Sequence, residues 1–360
     1  MKLSIKTTIL QEMVIRAIKG ASQNKLIPLT SLMAIQLTSG KITLITTDAS
    51  NTLYIMQDKV EGDDFYCVVP VEQFSKLVSK MSSENITLIL NDNILTVNGN
   101  GTYKIELPLD ENGETIKYPD PMNNNIYDGE LTEVNLSTIK TILGVNKAAL
   151  AVTMEEPVYT GYYVGDKVVS TDTYKICGLD VKLFDTPALI APETMNLLDV
   201  MTAEKISIYV LDDTIKFVSD DCVVYSHKMD GIEDYAIDAI SGLLNESFES
   251  SCKIRKIDLL STLDRIALFV GVYDNKAITL TFAENQLDIS SKQANGVESI
   301  TYMENKNFKP YTCQINIEEL IQQVKANSAD NIEIQYGNEK SIKLVDGNIT
   351  QIIALLTDDN

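Results

Sequence analysis

Apolar and polar residues alternate over three stretches of the chain: "NITLILNDNILTV" (85–97), "KISIYVLDDTIKFV" (205–218) and "NIEIQYGNEKSIKLV" (331–345). A period of two turns one face of a strand inward. Each stretch is broken at its centre by turn residues (Asn91-Asp92-Asn93, Asp212-Asp213 and Gly337-Asn338), so three β-hairpins are predicted. Elsewhere the apolar period is helical. "ILQEMVIRAIKGAS" (9–22), "LSTIKTILGVNKAA" (136–149) and "IRKIDLLSTLDRIAL" (254–268) each predict an amphipathic helix, the first through Ile9, Met13 and Ala17. A strand running into a shorter helix recurs at "VVPVEQFSKLV" (68–78), "LIAPETMNLLDV" (189–200) and "CQINIEELIQQV" (313–324). Pro70, Pro192 and Asn316 stand where these helices start, because proline needs no N–H partner there and asparagine caps.

A polar knot is repeated too. Thr46-Thr47-Asp48 interrupts one β-branched run and Ser170-Thr171-Asp172 another, 124 residues later; Ser290-Ser291-Lys292 is a degenerate third copy, 120 residues further on. Pro70, Pro192 and Asn316 are spaced by 122 and 124 residues. Landmarks recurring in one order at one spacing make a unit of about 120 residues, used three times. That is too long for a solenoid repeat and long enough for a core of its own. The expected domains are 1–124, 125–247 and 248–360, joined by linker-like segments at 118–130 and 239–251. Many alternating strands with only two helices per unit predict an α+β fold, antiparallel sheets with helices on one face.

Composition narrows the chemistry. With 44% apolar and 22% charged residues the chain is ordinary for a folded protein. No run approaches the roughly 18 apolar residues of a membrane span, and "MKLSIKTTIL" lacks a signal peptide's core, so a cytoplasmic location is expected. The five cysteines (Cys67, Cys177, Cys222, Cys252, Cys313) form no C-x-x-C pair and read as buried reduced thiols. His227 is the only histidine, which argues against His-based metal sites and catalytic triads. "VNGNGTYK" (97–104) reads as a hairpin turn, not a phosphate loop, and the acidic hairpin tips read as solvated turns. A net charge of −21 opposes coating by nucleic acid but leaves room for one locally basic face.

The ordered motifs resemble the bacterial DNA polymerase III beta subunit, the sliding clamp, over the whole chain. The Thr-Asp knots carry the likeness with "VVPVEQF", "ENQLDIS" (284–290), "YPDP" (118–121) and "KMDGIEDY" (228–235). The resemblance implies three domains of the DNA-clamp type per subunit, with sheets outside and paired helices inside, closing into a ring as a head-to-tail dimer. It implies a non-catalytic processivity factor without cofactor or metal. Its partners would be double-stranded DNA, encircled without regard to sequence, and the replicative polymerase, clamp loader and repair proteins, held through short peptide motifs. A clamp-fold interaction scaffold that does not close on DNA is the alternative.

Carried over by position, a partner-peptide pocket would use Tyr159, Thr171, Thr173, Tyr174, Lys175, Ile176, Asn316, Ser341, Ile352 and Ala354, with Asp172 as the turn-forming support. DNA would be faced by Arg16, Lys19, Lys76, Lys80, Lys140, Lys147, Arg255, Arg265 and Lys325. The six helical segments (9–22, 71–80, 136–149, 193–205, 254–268, 317–326) together carry +2, which leaves −23 outside them. Tyr103 and Ile105 would meet Phe269 and Val270 of a second copy. The chain departs from the family's usual Gly/Ser-His-Arg at Thr173-Tyr174-Lys175, from Phe-Pro at Ile232-Glu233 and from an arginine at Ile237. Its end, "IALLTDDN" (353–360), replaces Met-Pro-Met-Arg-Leu and points to a divergent member of phage or mobile-element type, with altered peptide preference.

Overall fold

A computed structural model describes residues 1–24, 26–119, 129–271, 275–293 and 295–356. The helices are α1 (Thr7–Ala17), α2 (Val71–Ser79), α3 (Leu136–Val145), α4 (Pro192–Leu197), α5 (Ile237–Asn245), α6 (Lys256–Ile266) and α7 (Ile317–Ala326). All strand pairs among the described residues are antiparallel, and the three predicted hairpins form with their turns where expected. Among the described residues no helix is long and apolar enough to cross a membrane.

Two compact units divide the chain, Met1–Ser137 with Glu193–Lys228 and Thr138–Pro192 with Met229–Asn360. The first holds a five-stranded sheet in the order Glu61–Gly62, Lys2–Lys6, Asn85–Asn91, Ile94–Asn98, Thr102–Glu106. Its eight-stranded sheet runs Glu130–Asn135, Lys205–Val210, Thr214–Val218, Cys222–His227, Asn51–Gln57, Lys41–Thr47, Leu32–Thr38, Phe65–Pro70. Four strands of the first repeat and four of the second are thereby fused, with Cys222 opposite Ile55 and Ser226 opposite Asn51.

In the second unit a nine-stranded sheet joins the rest of repeat two to repeat three. Its order is Ala188–Ile190, Tyr162–Val164, Val168–Thr171, Lys175–Leu179, Ile349–Ala354, Ser341–Asp346, Asn331–Tyr336, Ser250–Arg255, Glu304–Lys306. The joint is the pair Lys175–Leu179 and Ile349–Ala354, with Ile176 opposite Ile352. A four-stranded sheet (Val297–Thr301, Gln286–Ser291, Ala277–Phe282, Tyr311–Asn316) completes the unit. Its core gathers Leu259, Leu263, Ile278, Leu280, Leu320 and Val324 between strands and the helices α6 and α7.

The long predicted helices are shorter than their apolar period. α1, α3 and α6 each end in one 3-10 turn, at Ile18–Gly20, Asn146–Ala149 and Ala267–Phe269. The helix read over 193–205 stops at Leu197; a 3-10 turn follows at Leu198–Val200, and Lys205 opens a strand. The linker reading of 239–251 is also corrected, because α5 forms there. Ile240 is buried against Ile176 and Ile352, with Ile237 and Leu244 packed beside it, so the sheet stabilises a helix that composition alone does not signal. Of the other linker, 120–128 lie outside the described residues; Ile116 and Tyr118 pack on the eight-stranded sheet, where the Tyr118 hydroxyl donates to the Leu32 carbonyl at 2.9 Å.

Both complete knots have one geometry. The Asp48 Oδ1 accepts from the amides of Ser50 and Asn51 at 2.9 and 2.7 Å, as the Asp172 Oδ1 does from Tyr174 and Lys175 at 3.0 and 2.7 Å. The Thr47 hydroxyl donates to the Asn51 carbonyl and accepts from the Ala49 amide; Thr171 repeats this with Lys175 and Thr173. One residue earlier, Thr46 and Ser170 donate to the carbonyls of Ala17 and Asn146, tying each knot to the end of its preceding helix. Side-chain oxygens thus satisfy the turn's amides, which is why Thr and Asp interrupt a β-branched run.

The turn forces a left-handed residue at its second position, Ala49 at φ +87° and Thr173 at φ +75°. For a β-branched side chain that conformation costs about 1–3 kcal/mol. Thr173→Gly should therefore stabilise the protein, by about 0.5–1.5 kcal/mol after glycine's greater unfolded-state entropy is deducted. Asp172→Ala should destabilise it by about 2–4 kcal/mol. Urea midpoints of the two variants check both signs.

Candidate functional site

The second knot lies at the end of the hairpin whose outer strand joins Ile349–Ala354. Ile176, Ile352, Val169, Tyr163, Leu189, Tyr235 and Ile240 form one buried cluster beneath it. Tyr235 anchors that cluster, with its ring 5.1 Å from Tyr159 and 5.2 Å from Tyr163 and its hydroxyl donating to the Val169 carbonyl at 3.3 Å. α5 closes the cluster from above. Leu244 packs directly on Gly178, where a Cβ would sit 2.7 Å from a Leu244 methyl, so a larger residue there would displace that side chain. Lys343, buried on the strand beside Ile352, donates to the carbonyls of Leu244 and Glu246 at the C-terminal end of α5, its ammonium 5.0 Å from the Phe248 ring. A cation at a helix C-terminus meets both the dipole and the orphaned carbonyls.

The residues expected to form a pocket therefore fall into three groups. Ile176 and Ile352 are floor, covered by α5, and Ser341 is buried in the strand opposite Ala354. Tyr159, Thr173, Tyr174 and Ala354 form the accessible rim, with Tyr174 64% exposed and its carbonyl accepting from the Ala354 amide at 2.9 Å. Lys175 and Asn316 have structural tasks. The Lys175 ammonium is buried against Asp172 at 2.5 Å, and Asn316 caps α7 by accepting from the amides of Glu318 and Glu319. Thr171 is committed to the knot. Sequence reasoning missed Val152, which is 97% exposed, and Met154, on the segment just after Ala151, whose amide donates to the Tyr159 carbonyl.

The basic residues are less available than their number suggests. Arg16, expected to face DNA, is corrected: its side chain is only 12% exposed and donates to Asp221 at 2.7 Å and to the Val200 carbonyl at 2.9 Å. The bond from Arg16 holds the Asp221 carboxyl below its usual range against the opposing effect of burial. Arg265 forks onto Glu298 at 2.7 and 2.6 Å, Arg255 bonds Asp258 at 2.6 Å and Lys76 bonds Glu72 at 2.5 Å. Lys325 lies 3.9 Å from Asp264. Lys147 is exposed, and Lys19, Lys80 and Lys140 are exposed with no ion-pair partner among the described residues.

Of the expected interface residues, Tyr103 is half exposed and Ile105 buried on the edge strand Thr102–Glu106, which pairs on one side only among the described residues. Phe269 is 55% exposed, and Val270 packs partly on the core of the second unit. Phe269 sits over Gly296, just before Val297–Thr301, an edge of the four-stranded sheet among the described residues, whose Val297 is also exposed.

No family model and no curated protein matches the sequence. Solved structures match it along its length. The DNA polymerase sliding clamp of Bacillus subtilis superposes with a TM-score of 0.86 at 17% identity, covering 99% of both chains. The beta subunit of the Streptococcus pyogenes DNA polymerase gives 0.88 at 16% identity, covering 99% of this chain and 100% of its own. The sliding clamp of Pseudomonas aeruginosa gives 0.84 at 14% identity over 99% of each. From end to end, this chain has the sliding-clamp fold.

Proposed function

We propose that the chain is a DNA sliding clamp: a non-catalytic, cytoplasmic ring of two subunits, each of three domains, that encircles duplex DNA and tethers a polymerase and other partners by short peptides. The full-length superposition on sliding clamps carries this reading. Internal repetition supports the dimer independently. The strand after the knot pairs with a strand of the next repeat at both internal joints, Asn51–Gln57 with Cys222–His227 and Lys175–Leu179 with Ile349–Ala354. The third copy of that strand is Val297–Thr301, and the first repeat's counterpart of the receiving strand is Thr102–Glu106. Both are edges among the described residues, and pairing them between two copies repeats the internal joint a third time.

The competing reading is a clamp-fold scaffold that does not close on DNA. The neutralised Arg16, Arg255, Arg265 and Lys76 favour it, but a ring that holds DNA by topology needs few phosphate contacts and slides more freely with few.

Closure distinguishes the two. Wild type should be dimeric by light scattering at micromolar concentration, and Phe269→Asp and Val297→Asp should each give a folded monomer, since a charge is buried without a partner. A monomeric wild type removes the ring.

For DNA, Lys19, Lys80 and Lys140 replaced together by Glu should cut retention on nicked circular DNA several-fold while the dimer mass is unchanged. Binding of wild type to short linear duplex should be weak and vanish as salt rises. Arg16→Glu is a different experiment: it sets a carboxylate against Asp221 and should lower stability.

At the rim of the second knot, burial of a peptide's leucine and phenylalanine contributes roughly 1.5–3 kcal/mol each before ordering costs, consistent with an affinity on the order of micromolar. A Gln-Leu-x-Leu-Phe peptide should lose about tenfold in affinity on Tyr174→Ala, read by fluorescence anisotropy, with no loss on Ala49→Gly at the first knot.

A further inference from the structure

One carboxylate beside the second knot has no counter-charge of its own. In the first turn of α7, Glu318 pairs with Lys276 at 2.5 Å, whereas among the described residues no hydrogen bond or ion pair reaches the carboxylate of half-buried Glu319. One turn further along the same face of α7, Gln323 accepts from the Gln351 side chain at 2.8 Å, and Gln351 stands opposite Cys177, two residues from Lys175. Glu319 therefore lies in the field of Lys175, which attracts it, and of Asp172, which repels it. Lys175 is already bound to Asp172, so the three side chains together leave one negative charge, met only by the N-terminal end of the α7 dipole. Burial holds the Glu319 carboxyl above its usual range, as desolvation of an unpaired anion should.

The first knot also carries one negative charge, on Asp48, but there the anion is fully hydrogen-bonded. There Asn51 takes the place of Lys175 and donates to Asp48 at 2.8 Å. The first turn of α4 supplies Thr194, whose hydroxyl bonds Asn51 at 2.7 Å and Ser226 at 2.8 Å. Asn51, Thr194 and Ser226 are buried and neutral, and the half-buried Asp48 carboxylate accepts three hydrogen bonds. The second joint has the same backbone and an unsatisfied anion, next to the knot that presents Tyr174.

We propose that Glu319 is a specificity-determining residue of the peptide site, selecting partner segments that carry a lysine or arginine next to their apolar anchors. The inference rests on the peptide-binding reading above and adds the charge of the ligand to it. A cation there turns a half-desolvated, unpaired carboxylate into a charge-assisted bond, while an acidic residue meets it as a like charge. Tyr174 and Tyr159 supply the apolar contact and Glu319 the discrimination. A chain with a net charge of −21 also attracts any cationic peptide from a distance, so the local effect must be separated from the diffuse one.

The experiment titrates two labelled peptides of the form Gln-Leu-x-Leu-Phe-x, with both x Lys or both x Asp, into wild type, Glu319→Gln and Glu284→Gln. Glu284 is an exposed acid on a hairpin of the same unit, and its loss changes the net charge equally. Wild type should prefer the lysine peptide by about tenfold at low salt. Glu319→Gln should reduce the preference to about twofold, and Glu284→Gln should leave it near tenfold. The inference is overturned if Glu319→Gln keeps the full preference, or if both variants lower it equally. If neither peptide binds wild type, or if Tyr174→Ala changes neither affinity, the peptide site itself fails and the inference falls with it.

Discussion

An antiparallel strand pair shared between successive repeats is the contact on which the rest of this structure depends. A sheet of four or five strands has edges whose amides and carbonyls must be paired or guarded. Here the strand leaving each complete knot is answered by a strand of the next repeat, so Asn51 meets Ser226 and Lys175 meets Ile353. The consequence is that repeat two contributes strands to two sheets: Cys222–His227 and Lys175–Leu179 lie in different compact units. A boundary drawn by sequence repetition and one drawn by packing divide the same chain differently, and both follow from that pairing.

The knots explain why the joints are placed so reproducibly. A turn that takes its hydrogen bonds from a Thr hydroxyl and an Asp carboxylate has a fixed length, so the strand that leaves it begins in a fixed register. In the third repeat Lys292 stands where the aspartate should be, and the connection is closed instead by Ser291, whose hydroxyl accepts from the Gly296 amide at 3.2 Å.

Much of this was legible in the sequence because it is local. Hairpins, helix starts and knots are each set by a few neighbouring residues, and their recurrence exposed the triplication. What could not be read was decided at long range. Arg16 looked like a solvent-facing cation until the fold brought Asp221 to it, 205 residues along the chain. α5 is held by Ile176 and Ile352 under its apolar face and by Lys343 at its last carbonyls, and none of these is near it in sequence. The resemblance carries Ile176 and Ile352 into the pocket by position, but position in a family pattern does not say what covers an apolar side chain in this chain. Val152 and Met154 escaped notice for the opposite reason, as no periodicity distinguishes an exposed apolar residue in a loop from a buried one.

An identity of 14–17% with clamps of the same fold is low, and the hydrogen bonds described above suggest what survives such divergence. Core positions tolerate exchange among apolar residues as long as volume and pattern are kept. The joint asks for little more: an acceptor at Asp48 and Asp172, a hydroxyl one residue earlier, and backbone groups that every sequence supplies. Asn51 with Thr194 and Lys175 with Glu319 are two solutions to one backbone problem, the first closed on itself and the second left with an unpaired anion. The fold constrains where the two joints are, and leaves their chemistry to whatever each has to meet.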